Sequence, residues 1–137
     1  MRIVADTNVL VSALLWTGLP HRFLANAEAH RFTLYTSPAL IHELAGVLAR
    51  QKFAPRLRIL QVTPEELVAG YLNVAHLLAP PVILPVIAED PADDAVLACA
   101  LAARATYLIT GDPHLLRLQS YHAIQIVTPR TFFLTEL

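Results

Sequence analysis

Four carboxylates interrupt or directly follow apolar segments of this chain: Asp6, Glu43, Asp94 and Asp112. An unpaired charge packed against an apolar core is costly, so acids in such positions need compensation. If the fold brings them together, a divalent cation is the simplest compensation. A metal ion held by oxygen atoms in turn suggests phosphate chemistry.

Alternating strands and helices must position these acids. The predicted strands are Arg2–Ala5, Thr33–Thr36, Val82–Val86, Thr106–Ile109 and Ala123–Val127. The predicted helices are Thr7–Leu15, Pro20–His30, one opened by Ser37 and Pro38, Thr63–Leu78, Asp90–Ala103, Asp112–Leu118 and a terminal turn capped by Thr128. This order favours a single domain over residues 1–137, with a three-layer α/β/α architecture and a central, mainly parallel sheet of about five strands.

The carboxyl ends of parallel strands are where such sheets bind ligands. Asp6 and Asp112 both come after predicted strands, so we expect them at the same edge of the sheet. Taken alone, each has a simple structural explanation as a helix cap. Glu43 lies in the second turn of its helix, beside apolar residues, and a solvated position on the flank of that helix is its structural alternative.

The acids that open the helix at Asp90 compete with one another for a functional role. Asp94 lies one turn before the buried stripe of that helix, so we expect it at the rim of the sheet. Asp90 is explained as the helix cap, and Asp93 as an acid favoured by the helix dipole.

The composition excludes several classes of protein. A chain that is 55% hydrophobic and 15% charged is not disordered, and a net charge of −1 provides no overall basic field for nucleic acid. No segment is apolar enough to span a membrane, and the single cysteine, Cys99, is interpreted as a buried packing thiol. These features predict a cytoplasmic protein.

Positive charge is nevertheless concentrated in one segment, which carries Arg50, Lys52, Arg56 and Arg58 without an intervening acid. Together with Phe53 it could grip phosphates and stack a base of RNA. A solvated connecting loop explains the same segment equally well.

Four segments, in order and spacing, resemble the motifs of the PIN domain family, and the resemblance covers nearly the whole chain. The segments are Ile3–Leu14, Ser37–Leu44, Asp90–Ala98 and Tyr107–Asp112. The branch that the chain resembles most comprises toxin components of toxin–antitoxin pairs, related to VapC-type ribonucleases.

This resemblance implies a function and a set of site residues. The family's invariant acids fall on Asp6, Glu43 and Asp94, and its fourth acid on Asp112; Asn8 and Thr110 match supporting polar positions. The implied activity is metal-dependent hydrolysis of RNA by an endoribonuclease that works as the toxin of a pair, with an antitoxin partner and a homodimeric state. Because the predicted ligands are all oxygens, Mg²⁺ or Mn²⁺ is favoured over zinc.

Other interpretations stay open at this point. Many relatives carry a further acid two residues after the fourth motif's Asp, where this chain has His114, interpreted as a loop histidine; this weakens the case for a second metal ion. The chain could also be a non-catalytic PIN domain that binds RNA or serves as a scaffold. A phosphoacceptor domain needs a lysine after a late strand, and the only lysine is Lys52. An aspartyl phosphatase needs a second Asp where Asn8 stands.

Overall fold

The computed structural model describes residues 1–80 and 91–137. Its strands are β1 (Arg2–Ala5), β2 (Thr33–Thr36), β3 (His76–Leu77), β4 (Tyr107–Ile109), β5 (Ser120–Tyr121) and β6 (Ile124–Val127). Its helices are α1 (Thr7–Leu15), α2 (Leu19–Glu28), α3 (Pro38–Leu48), α4 (Ala54–Leu60), α5 (Pro64–Leu72), α6 (Pro91–Ala103), α7 (Pro113–Leu116) and α8 (Pro129–Glu136), with a 3₁₀ turn at Gln51–Phe53. The predicted strand Val82–Val86 and the predicted cap Asp90 lie outside the described residues. None of the described helices has the length and apolar character needed to cross a membrane.

The six strands form one sheet in the order β3-β2-β1-β4-β6-β5. All neighbours run parallel except β5, which pairs antiparallel with β6. The predicted α/β fold with a mainly parallel central sheet is confirmed. From β1 the chain adds β2 and then β3 on one side of the sheet. It then crosses back and places β4 on the other side of β1. In parallel sheets of this kind, the crevice beyond such a reversal point is the usual place for a ligand.

Each face of the sheet has its own core, because successive residues of a strand point to opposite faces. Ile3 and Ala5 of β1 belong to a cluster with apolar residues of α1, α2, α3 and α8. Val4 points to the other face, where it joins Leu108 and the buried stripe of α6. The sheet is therefore covered by helices on both sides, as the predicted three layers require.

The cysteine of α6 belongs to this second core. Cys99 is a free thiol with no exposed surface, which confirms its interpretation as a packing residue. Burial raises the pKa of Cys99 to about 11, and a hydrogen bond with Ser37 opposes that rise. The thiol is therefore neutral near pH 7 and poorly suited to act as a nucleophile.

One predicted helix boundary is wrong, and one of the alternatives left open for the basic segment is excluded. The helix that begins after Thr63 ends at Leu72 and does not reach Leu78, because His76 and Leu77 pair with the edge of β2. The segment Arg50–Arg58 is not a loop: it forms the 3₁₀ turn and most of α4. In both places, pairing or packing with a distant part of the chain decides the local structure.

The turn between β5 and β6 holds two residues in a strained conformation. His122 and Ala123 have φ values of 48° and 66°, in the left-handed region that a two-residue hairpin of this kind requires and that glycine and asparagine adopt more easily. We expect Ala123→Gly to raise the free energy of unfolding by about 0.5 kcal/mol, because relief of roughly 1–2 kcal/mol of strain exceeds the entropy that glycine adds to the unfolded chain. Urea unfolding measures this change.

A matched substitution in a helix controls for the effect of glycine itself. Ala25 is exposed within α2, and Ala25→Gly should lower stability by about 1 kcal/mol because glycine is a poor helix former. If Ala123→Gly destabilised the protein as much as Ala25→Gly does, the strain assigned to the turn would be absent.

Candidate metal centre

Asp6 lies at the carboxyl end of β1, where that strand meets β4. Its backbone N–H donates to the Ile109 carbonyl over 2.9 Å, which extends the β1–β4 pairing by one residue. Its carboxylate Oδ1 accepts from the Thr7 N–H at 2.8 Å and so caps α1. Asp6 is only 8% exposed, so the structure holds this acid at the edge of the core.

Thr110 links Asp6 to Asp112 across the two strand ends. Its hydroxyl donates to Asp6 Oδ2 at 2.8 Å and accepts from the Asp112 N–H at 3.0 Å. Thr110 is fully buried, and its own N–H donates to Val127 of β6 at 2.9 Å. The structure thus brings Asp6 and Asp112, which are far apart in sequence, to the same edge of the sheet.

Asp112 anchors a second set of contacts on the outer side of this edge. Its Oδ1 accepts from the His114 N–H at 2.8 Å and caps α7, and the His114 Nδ1 atom lies 3.8 Å from the same oxygen. Asp93, in the first turn of α6, is only 4% exposed. Ligand atoms of Asp93, Asp112 and His114 all lie within 4.8 Å of one another, so this group could hold a metal ion.

Two members of this group carry no role in the sequence interpretation. From the sequence, Asp93 is interpreted as an acid favoured by the helix dipole, and His114 is interpreted as a loop histidine. His114 is indeed 44% exposed, yet its position two residues after Asp112 brings its ring beside that carboxylate. The adjacent pair Asp93 and Asp94 is the sequence signal for Asp93, since either acid could face the sheet edge.

The remaining acids of the predicted set lie on neighbouring helices. Asp94 is partly exposed in the first turn of α6, and Glu43 is partly exposed in the second turn of α3. Helix α3 packs against both α1 and α6, so Glu43 comes from an element that borders the site. The three-residue group around Asp112 includes neither Asp94 nor Glu43.

The two predicted supporting residues differ in burial, and the basic segment lies away from both of them. Thr110 is buried and bridges two acids, whereas Asn8 is exposed in the first turn of α1. The basic segment lies at the opposite end of α1, where Arg56 Nε donates to the carbonyl of Leu15 at 2.7 Å. Arg50, Lys52 and Arg58 of that segment are exposed.

The bridging hydroxyl gives a testable prediction about stability. Thr110→Val leaves Asp6 Oδ2 without this donor and the Asp112 N–H without its acceptor, so we expect a loss of about 1–3 kcal/mol in the free energy of unfolding. Thr110→Ser keeps the hydroxyl and should lose much less. Urea unfolding of the two variants tests this, and equal stability of the valine and serine proteins would contradict the bridging role.

The chain is similar to a chain of the crystal structure of VapBC2 from Rickettsia felis bound to a DNA fragment from their promoter, with a TM-score of 0.60 and 15% identity over 92% of this chain and 97% of that one. It is also similar to the T. brucei RRP44 PIN domain, with a TM-score of 0.47 and 17% identity over 97% of this chain and 79% of that one. No curated protein matches the chain.

The match to a family model is more direct. The model described as PIN domain matches residues 2–114, a range that contains Asp6, Glu43, both acids of α6 and the whole of the group around Asp112. This range is well over half of the chain, and the structural likeness to VapBC2 agrees with it in fold. The protein therefore belongs to the PIN domain family.

Proposed function

We propose that this PIN domain is a metal-dependent endoribonuclease that hydrolyses phosphodiester bonds of RNA. The family is of the nuclease type. The observation that carries the proposal is the hydroxyl of Thr110, which ties Asp6 to Asp112 beside the group of Asp93, Asp112 and His114. This arrangement concentrates acids at the reversal point of the sheet, where parallel sheets bind ligands.

Electrostatics explains why such a site requires a cation. Two carboxylates about 4 Å apart repel each other by about 4 kcal/mol at an effective dielectric constant near 20. Neither Asp93 nor Asp6 is exposed enough for water to screen it fully. A metal ion bound between these acids would reduce the charge of the cluster and so relieve this repulsion.

The donor set fits a hard divalent cation. Carboxylate oxygens are preferred by Mg²⁺ and Mn²⁺, and an imidazole beside them suits Mn²⁺ better than Mg²⁺. Asp6, Asp94, Asp112 and Glu43, the acids that the family motifs imply, are proposed to hold the metal, and the structure adds Asp93 and His114 as candidates. A bound ion would lower the pKa of a bound water and neutralise charge on the phosphodiester.

The residues of the chain itself have distinct proposed roles. Thr110 holds Asp6 in one orientation, because its hydroxyl proton points to Asp6 while its lone pair accepts from the Asp112 backbone. Asp93 and Asp94 lie in the first turn of α6, at the positive end of the helix dipole. Glu43 would orient the attacking water. Attack on phosphorus with loss of the 3′ oxygen leaves a 5′-phosphate and a 3′-hydroxyl.

The biological setting is proposed from the same family relationship. The VapBC2 structure is bound to a DNA fragment from their promoter. From the resemblance to VapC-type ribonucleases, we propose that this chain is the toxin of a toxin–antitoxin pair, with a cognate antitoxin as partner. Homodimer formation and a cytoplasmic location remain part of this proposal. Co-purification of the chain with the product of the adjacent reading frame would test the pairing.

Incubation of the purified protein with a structured RNA tests the enzymatic proposal. We expect cleavage with Mn²⁺, weaker or equal cleavage with Mg²⁺, and none with EDTA, and the products should carry 5′-phosphates. Binding of RNA without cleavage in either metal would instead identify a non-catalytic RNA-binding or scaffold PIN domain.

A further inference from the structure

We propose that an exposed aromatic and cationic surface at the end of α1 stacks an unpaired base of the RNA strand. The surface, named here the Trp16 platform, consists of Trp16, Phe53, Lys52 and Arg56. That its ligand is RNA rests on the proposed function. The platform extends the predicted basic segment with Trp16, which comes from a different part of the chain.

The two rings of the platform support each other. Trp16 follows the last residue of α1, and its ring lies 5.8 Å from that of Phe53 at an interplanar angle of 63°, in an edge-to-face arrangement. Trp16 is nonetheless 43% exposed, so a large part of the indole ring faces water. The contact with Phe53 therefore fixes the indole ring without burying it.

Cations lie over both rings. The guanidinium carbon of Arg56 is 5.9 Å from the centre of the Trp16 ring, and the Lys52 Nζ atom is 5.0 Å from the centre of the Phe53 ring. The bond from Arg56 Nε to the Leu15 carbonyl, at 2.7 Å, holds that guanidinium in place. These distances are typical of cation–π contacts, which orient the cations beside the rings.

The charge of this surface is not neutralised by the part of the chain that the structure describes. Over residues 1–80 and 91–137, no carboxylate forms an ion pair with Lys52, Arg56 or their exposed neighbours Arg50 and Arg58. Because the whole chain carries a net charge of −1, these four cations create a local field opposite in sign to the average. An anionic partner is therefore favoured here.

A nucleic acid strand has both an aromatic face and negative charge, which are the two features that the platform would bind. An unpaired base has an aromatic face that stacks on indole, and its flanking phosphates pair with lysine and arginine. The combination of a fixed, exposed ring with cations that form no ion pair among the described residues therefore points to a single strand.

The position of the platform also limits how RNA would run. Ten residues of helical rise separate Asp6 from Trp16, a distance of about 15 Å. At an axial rise of ~3.4 Å per nucleotide of a stacked strand, about four nucleotides connect the two places. The platform would thus hold a base outside the cleavage site and would favour substrates that are longer than the scissile dinucleotide.

The experiment uses the full chain carrying Asp6→Asn, so that RNA can bind without being cut. Trp16 is the only tryptophan, and its fluorescence therefore reports on the platform alone. We expect a short oligouridylate to quench this fluorescence at saturation. In the same background, Trp16→Leu should weaken binding of a labelled oligouridylate, measured by anisotropy, by about tenfold, and Trp16→Phe should restore most of it.

Arg22→Ala provides a matched control. Arg22 is also an exposed cation over an aromatic ring, 5.1 Å from the centre of Phe133, but it belongs to α2 and contacts α8. Its loss should leave affinity nearly unchanged, whereas Lys52→Ala should reduce affinity and make it less sensitive to salt. Thermal melts of each variant verify that the fold is intact.

Several outcomes would overturn the platform. These are equal affinity of the parent and Trp16→Leu proteins, unchanged fluorescence at saturation, or conversion of a dimer to a monomer by Trp16→Leu without any change in RNA affinity. The last result would identify the surface as an interface between copies. Since binding is measured without cleavage, an inactive wild-type protein would refute the nuclease proposal while leaving this test valid. If the wild type cleaves RNA but RNA affinity does not depend on Trp16, only the proposal about the platform is refuted.

Discussion

The Asp6→Asn protein is expected to fold normally and to lose RNA cleavage, by a factor of at least about 100. Asparagine keeps the oxygen that caps α1 through the Thr7 N–H, and its amide can still bond to Thr110. It lacks only the negative charge that a metal ion requires. Cleavage of a structured RNA in Mn²⁺, followed over time on a denaturing gel, measures the loss.

A substitution of the same type on the surface controls for nonspecific effects. Glu65 is exposed in the first turn of α5, away from the carboxyl ends of the strands, and Glu65→Gln should cleave RNA at the wild-type rate. Circular dichroism of both variants should match the wild type. Should Asp6→Asn cleave as fast as Glu65→Gln, Asp6 would have no part in catalysis.

The second large effect concerns Mn²⁺ and thermal stability. Without metal, Asp6→Asn and Asp112→Asn should melt at the wild-type temperature or above it, because each removes repulsion among the acids. Mn²⁺ at a hundred times its dissociation constant stabilises a binding-competent fold by about 2.7 kcal/mol, which corresponds to roughly 8 °C in a chain of this size. The wild type should show this shift, and both variants a much smaller one.

Glu65→Gln serves as the control for this measurement and should respond to Mn²⁺ as the wild type does. The magnitude of the shift depends on affinity, but the ranking of the proteins does not. Equal Mn²⁺ shifts in all four proteins would mean that the cation binds elsewhere on the surface, and the acids at the reversal point would then need another explanation.

The same measurement separates the two adjacent acids of α6. The family motif implies Asp94, whereas the structure places Asp93 with Asp112 and His114. We expect Asp93→Asn to reduce the Mn²⁺ shift, because Asp93 is the more buried acid and lies within ligand distance of Asp112. If only Asp94→Asn reduced the Mn²⁺-induced shift in melting temperature, Asp94 would be the metal ligand, as the family motif implies.

The sequence was sufficient to predict the edge of the sheet at which the acids lie. Asp6 and Asp112 follow short apolar strands, and the carboxyl ends of parallel strands coincide, so local patterns fix their location. It was not sufficient to choose between Asp93 and Asp94. Successive helical residues point about 100° apart, so the choice depends on how α6 rotates against the sheet, which is a property of packing.

Contacts between distant segments account for the other differences. The end of α5 and the presence of β3 depend on pairing with β2, whose residues lie some forty positions earlier. The contact of Trp16 with Phe53 depends on how α4 packs against α1. Neither is encoded by a local period or a capping residue, and both require the three-dimensional arrangement.

The bond from Thr110 to Asp6 joins residues 104 positions apart in the chain. A ribosome must synthesise Thr110 before this bond can form, because a contact forms only once both of its partners have emerged. The cluster of acids at this edge therefore cannot assemble on a nascent chain before Thr110 and Asp112 have been made. A nuclease site of the proposed kind would therefore stay incomplete while the segment between Asp6 and Asp112 is being synthesised.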